Sequence, residues 1–208
     1  SLKSASEILH ETENTNQRKK LIDILNHDVQ RIERLITDYS QILKDEVALS
    51  KEKMKKINLK MIVRSVVDDF NNIYEAKRGI KIILNDLNNQ EEYIINGIEN
   101  RIEQIIANLL DNSISFSEDN RKILVEISKS EIENVILRVV DEGKGFKEKN
   151  TKKIFDRFYS NRPDNFGEHS GLGLNIVKNL VDLHGATIYA SNNITQKGAN
   201  VEIVFPKS

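Results

Sequence analysis

The sequence has no cysteine, no tryptophan, two prolines and nine glycines in 208 residues, and no surplus of charge of either sign. Without cysteine there is no disulfide framework, thiol nucleophile or cysteine-based zinc site, which suits a reducing compartment. The balance of 31 Lys and Arg against 32 Asp and Glu leaves a formal net charge of -1. That excludes the broad positive field of a dedicated nucleic-acid binder. No apolar run approaches the ~20 residues of a membrane-spanning helix, and the first residues carry no signal-peptide pattern. What is present is 38% hydrophobic residues, enough for a packed core, over a length that allows one or two domains.

The scarce residues are unevenly placed. Pro163 and Pro206 leave everything before them free of proline, while Gly143, Gly145, Gly167, Gly171 and Gly173 cluster. Residues 1–50 hold neither glycine nor proline, and Leu21, Leu25, Val29, Ile32, Ile36, Tyr39 and Leu43 recur every three or four positions. Ile24, Leu35 and Ile42 widen this helical stripe beyond a two-stranded seam, and Leu2, Ala5, Ile8 and Leu9 begin a shorter helix. The spacing predicts a dimerisation hairpin over 1–50, truncated at its start and made mostly of its second helix. So little chain cannot enclose a core, so a homodimer is expected to bury the stripe. Lys51 to Lys56, flanked by acids and without aromatics, reads as a solvated linker, placed at 51–57.

Over 58–208 helices and strands mix. Asn58 is the expected cap of a helix carrying Ile62, Val66, Val67, Phe70 and Ile73, ended by Gly79. Strands are expected at Ile80 to Leu84, Tyr93 to Ile95, Ile123 to Ile127, Val135 to Val140, Ala186 to Ala190 and Val201 to Phe205, with helices at Ile98 to Phe116 and around Lys178. The order lacks strict βαβ alternation and predicts an α+β sandwich, one sheet with helices on one face.

Three constellations carry chemistry. Asn108 and Asn112, four apart on a helix, share a face; their amide oxygens suit Mg²⁺ and their nitrogens phosphate, although alone they would read as a solvated face. Asp141, ending a β-branched strand before Gly143 and Gly145, offers a carboxylate to an exocyclic amine while the glycines admit a ligand close to the backbone. By itself this is also an ordinary turn. Gly171-Leu172-Gly173 opens an amphipathic helix whose first N–H groups favour phosphate. It does not follow a strand, which disfavours a dinucleotide fold. Between the last two lie Ile154 to Tyr159 and a polar, Gly-containing loop that reads as a lid.

In this order and spacing the sequence resembles the catalytic core of bacterial sensor histidine kinases, within the ATPase group that includes gyrase, Hsp90 and MutL. Asn108 to Asn112 resemble the N box, Asp141 to Gly145 the first glycine box, Ile154 to Tyr159 the F box, and Gly171 to Gly173 the second glycine box, the likeness covering about residues 17 to 205. The F box separates the chain from gyrase-like relatives. The resemblance implies a Bergerat-type ATP-binding sandwich with ATP and Mg²⁺ as cofactors. Asp141 would hold the adenine amine and Asn112 the Mg²⁺ with Asn108 beside it; the backbone at Gly171, Leu172 and Gly173 would face the phosphates, and Phe155 and Phe158 would anchor the lid. It also implies a response-regulator receiver domain as partner, and a parent protein anchored in the bacterial inner membrane by segments absent here, with this part in the cytoplasm. One departure stands out. Ser115 and Phe116 occupy places where the family carries Lys or Arg and then Tyr, leaving Arg162 or Lys178 as substitute cations.

No histidine of the chain stands in the phosphoacceptor motif that the resemblance implies. His27 precedes Asp28 as an acceptor would, yet Arg31 and Ile32 stand where the family has Thr or Asn and then Pro, and only one helix follows. Leu25 to Leu43 therefore reads as the second hairpin helix, and the acceptor is expected before Ser1, with His27 as the alternative. His184-Gly185 reads as a helix ending where a cation suits the dipole. The expected function is a kinase core that phosphorylates a hairpin histidine and then a regulator aspartate, this chain being unable to phosphorylate itself. The alternatives are a degenerate dimeric nucleotide-binding or docking module and a gyrase- or Hsp90-like ATPase clamp.

Overall fold

The computed structural model describes residues 14–26, 29, 32–33, 36, 52–89, 92–147, 151–156, 172–193 and 197–208. The chain divides into two compact units, with the break between Ser50 and Lys51. In the first, helix α1 covers residues 15–26, and residues 29, 32, 33 and 36 are also helical. Asn14 starts α1, its Oδ1 accepting from the Asn16 and Gln17 N–H groups. Along the expected stripe, Leu21 and Leu25 are half-buried, while Ile24, Val29, Ile32 and Ile36 are exposed. The side chains of His27, Leu35, Tyr39, Ile42 and Leu43 lie outside the described residues.

The second unit runs β1 (Lys55–Asn58), α2 (Leu59–Arg78), β2 (Lys81–Asp86), β3 (Ile94–Gly97), α3 (Glu99–Phe116), β4 (Lys122–Lys129), β5 (Val135–Asp141), a 3₁₀ turn (Thr151–Phe155), α4 (Gly173–Leu183), β6 (Thr187–Asn192) and β7 (Ala199–Phe205). The main sheet has the order β2-β4-β5-β7-β6; β2 and β4 are parallel and the other pairs antiparallel. In β4, β5 and β7 every second residue is buried, as a sheet covered on one face requires. Ile123, Val125 and Ile127 join Leu137, Val139 and Ile203 beneath Val63, Ile102, Ile105, Leu109 and Val177 of the helices.

Local chemistry sets the ends of α2. Asn58 Oδ1 accepts from the Lys60 N–H and also from the Tyr93 N–H, both at 3.2 Å. Gly79 ends the helix at φ 63, a left-handed conformation, where an added Cβ would meet Asn120 Oδ1 at 2.1 Å.

Two expectations need correction. The end of the stretch read as a solvated linker is strand β1, with Lys55, Lys56, Ile57 and Asn58 paired to Gly97, Asn96, Ile95 and Ile94 of β3. Glu52 adds an ion pair to Arg101 at 3.5 Å. Charge-rich composition concealed the strand because it lies exposed and only Ile57 and Asn58 are half-buried. His184, read as a terminal cation, is instead buried and neutral. Its Nε2 accepts from the Ile98 N–H at 3.1 Å while Nδ1 lies 2.7 Å from the Leu180 carbonyl, so one ring nitrogen accepts and the other donates. Burial pushes its pKa below 6.5.

Candidate nucleotide site

Helix α3 brings the first constellation into place. Its apolar positions Ile102, Ile105, Ile106, Leu109 and Leu110 pack inward, which leaves Asn108 and Asn112 together on a half-buried face. Asn108 Nδ2 donates to the Gln104 carbonyl at 2.8 Å, so its Oδ1 stays available as an acceptor. That oxygen is the nearest atom to a Cβ built on Gly173, at 3.3 Å. The start of α4 therefore lies against the Asn108 face of α3, with glycine at the approach.

Asp141 ends β5 with its side chain buried. Oδ1 accepts from the Gly143 N–H at 2.8 Å and the Ala199 N–H at 3.0 Å. Both bonds land on one oxygen, so the second keeps its acceptor capacity for a donor such as an exocyclic amine. Burial pushes the carboxyl above its ordinary 3.8, and the two N–H groups pull it part of the way back. A Cβ at Gly143 would stand 2.6 Å from the Phe116 carbonyl oxygen, so the last residue of α3 abuts the glycine turn. Gly145, at φ 71, is held by its neighbour: Asn192 Oδ1 accepts from the Phe146 N–H at 2.6 Å and Asn192 Nδ2 donates to the Phe146 carbonyl at 2.9 Å.

On the other side, Phe155 is buried in the 3₁₀ turn, and Leu172 is buried at the start of α4. The residue before the first turn of α4, Leu172, has no polar side chain with which to cap the helix. Asn175, in the first turn, donates from Nδ2 to the Phe155 carbonyl at 2.8 Å and so joins the two elements. Phe158, Gly171 and Arg162 lie outside the described residues. Lys178, one of two cations considered as substitutes at Ser115, is held by Asp182 on its own helix. The Ser115 hydroxyl donates to the Asp111 carbonyl at 2.6 Å.

Residues that bring the site together were missed from sequence. Asn175 left a trace, a polar residue inside an apolar helical stripe. Ala199 left none, because its N–H reaches Asp141 from β7 across the sheet. The groups present fit ATP: a buried carboxylate with an acceptor oxygen in reserve, glycines where a Cβ would close the approach, and a helix start beside the Asn108 amide. Among the described residues no group of three or more His, Cys, Asp or Glu is placed to hold a metal ion.

Residues 97–208 match the family model described as histidine kinase-, DNA gyrase B-, and HSP90-like ATPase. The sensor protein ChvG of Rhizobium meliloti is 35% identical over 198 residues, covering 92% of this chain and 34% of that protein. The chain thus spans about a third of the length of this relative. The catalytic domain of histidine kinase ThkA superposes with a TM-score of 0.64 at 25% identity, covering 75% of this chain and 97% of that one. ThkA in complex with the response regulator TrrA gives a TM-score of 0.66 at 23% identity, over 100% of this chain and 59% of that one. The order of boxes, the mixed sheet under helices and these matches agree: the chain belongs to the histidine kinase-, DNA gyrase B- and HSP90-like ATPase family, as a sensor histidine kinase catalytic core.

Proposed function

We propose that this unit binds Mg-ATP and transfers its γ-phosphoryl group to a histidine on a dimeric helical hairpin, from which it passes to an aspartate of a response-regulator receiver domain. The observation that carries this reading is the meeting of three boxes on one helix: α3 touches the glycine turn after Asp141 at Phe116 and the start of α4 at Asn108. Asp141 accepts the adenine amine, Gly143 and Gly145 let the base approach the backbone, and the N–H groups at Gly171, Leu172 and Gly173 receive phosphate. Phe155 and Phe158 anchor the loop between them. The Asn112 amide, with Asn108 beside it, would hold Mg²⁺, which would supply charge neutralisation to the phosphates. The acceptor nitrogen forms its bond to the γ-phosphorus as the bond to the bridging oxygen breaks, ADP leaves, and the protein's part is orientation and charge.

His27 lies in no H-box context, so the acceptor is a histidine outside these 208 residues and Arg162 is a candidate stabiliser of the transferred charge. In the whole protein this core works in the cytoplasm beneath a membrane anchor. The TrrA complex of the ThkA relative supports a receiver domain as partner, and the exposed Ile24, Val29, Ile32 and Ile36 support dimerisation through the helices.

The test is incubation with γ-labelled ATP and Mg²⁺, alone and with a hairpin carrying an intact H box. The chain alone takes up no acid-labile label and labels the hairpin when it is added. Label on His27 refutes the acceptor assignment. A second reading, a docking module without turnover, is favoured by one observation: the last turn of α3 has no basic residue, and Lys178 is committed to Asp182. Calorimetry showing no ATP binding would establish it, and steady ATP hydrolysis without transfer would instead mark an ATPase clamp.

A further inference from the structure

We propose that Arg78 is a positioning residue for adenine recognition: its guanidinium, anchored by Asp119, grips the carbonyl end of α3 and sets Phe116 against Gly143, beside Asp141. The inference rests on the nucleotide reading of this site.

The end of α3 presents carbonyl oxygens and partial negative charge, and its own last turn offers no cation. Arg78, from the last turn of α2, supplies one. Its Nη1 donates to the Ile114 carbonyl at 2.8 Å and its Nη2 to the Ser117 carbonyl at 2.7 Å. Nε donates to Asp119 Oδ1 at 2.7 Å, which orients the planar fork. The backbone closes the same junction, because the Asn120 N–H donates to the Arg78 carbonyl at 2.9 Å.

The two carbonyls that Arg78 holds belong to residues on either side of Phe116. The Phe116 carbonyl is the atom that would meet a Gly143 Cβ at 2.6 Å, and the Gly143 N–H is one of the two donors fixing Asp141 Oδ1. A short mechanical path therefore runs from guanidinium to carboxylate: Arg78, the carbonyls of Ile114 and Ser117, Phe116, Gly143, Asp141. It reaches the adenine end of the site. Of the phosphate end, Asn108, Gly173 and the start of α4 lie on other turns, and Asn112, two residues before Ile114, is bound by none of the three guanidinium nitrogens. Lysine could not replace the fork, because a single ammonium cannot serve two carbonyls and a carboxylate in this planar arrangement.

The experiment measures binding of ATP and of GTP to the complete 208-residue chain and to the Arg78→Gln, Arg78→Lys and Asp119→Asn variants, with melting curves for each. GTP carries a carbonyl where adenine carries its amine and relies on the phosphate end alone. Arg78→Gln is expected to weaken ATP roughly tenfold, the scale of a misplaced hydrogen bond to a charged group, and to leave GTP unchanged, so the ATP:GTP preference collapses. The other two variants lose part of the preference. A merely structural role lowers the melting temperature and weakens both nucleotides together, and that result, or an unaltered preference in Arg78→Gln, overturns the proposal. If Arg78→Gln does not fold, an unaltered preference in both remaining variants overturns it. A wild-type chain with no preference for ATP refutes the adenine-site reading itself, and this inference with it; a wild-type preference that survives in every variant refutes only the role of Arg78.

Discussion

Replacing Asp141 by Asn separates what this residue does for the fold from the nucleotide-binding role proposed for it. In the fold, Oδ1 accepts from the Gly143 and Ala199 N–H groups at 2.8 and 3.0 Å. An asparagine oxygen can keep both bonds. It also removes a buried negative charge that the site disfavours, since burial raises the carboxyl pKa. A raised folded-state pKa means that the folded form binds the proton more tightly than the unfolded chain does. The stabilisation is then present below the ordinary value of 3.8 and lost as pH rises through the folded-state value. Ionised Asp141 is therefore a liability at neutral pH that Asp141→Asn lacks. The variant should melt at or above the wild-type temperature near neutrality, and the difference should shrink in acid.

Binding should move the other way. The second side-chain atom becomes an NH₂ donor and would face the adenine amine, another donor. Losing a hydrogen bond to a charged acceptor costs about 1.5–3 kcal/mol, which is roughly tenfold to a hundredfold in affinity. Asp141→Ala serves as the contrast, since it strands two buried N–H groups at about 1–3 kcal/mol each and should lose stability as well as binding. Calorimetry and urea unfolding on the three proteins give both axes. ATP binding by Asp141→Asn within about threefold of wild type would refute the adenine assignment.

Two further outcomes follow from the same geometry. His184 has its pKa lowered by burial, so it favours the folded state above its ordinary 6.5 and penalises it as pH falls below that value towards the folded-state pKa; urea midpoints should drop on acidification through this window, and His184→Gln should remove that part of the drop. Gly143→Ala places a Cβ 2.6 Å from the Phe116 carbonyl oxygen and 3.0 Å from Asp141 Oδ1, and should cost about 1–3 kcal/mol in urea unfolding while weakening ATP.

The elements legible in the sequence were those whose signal is periodic or local. The stripe from Ile102 to Ile114 locates α3, β-branched alternation locates β4, β5 and β7, and Asn58 and Gly79 bracket α2 by cap chemistry that needs no distant partner. Strand β1 was hidden because it is lysine-rich and exposed, and its pairing with β3 depends on residues some forty positions away. The candidate groups stood out in the sequence for a related reason: Asn, Asp and Gly stood where apolar residues would continue an element. What held them together was not. The Ala199 N–H, the Asn175 amide and the Arg78 fork act across elements far apart in the chain, and nothing in a backbone N–H marks its sequence position.

The substitution at Ser115 acquires a physical context from these long-range contacts. A family cation there would sit in the last turn of α3, where positive charge meets the helix dipole. Here serine leaves that turn without one, and Arg78 brings the charge from α2 to the carbonyls of Ile114 and Ser117. The dipole is thereby complemented, but by a group bound to the protein's own carbonyls and carboxylate. Lys178 is turned towards Asp182 in the same way. Among the described residues, then, the proposed phosphate end has the start of α4 and the amides of Asn108 and Asn112 to draw on, and Arg162 lies outside them. On the proposed reading the two ends of the site rest on different physics: a side-chain fork would set the adenine end, and a helix start with amide ligands the phosphate end.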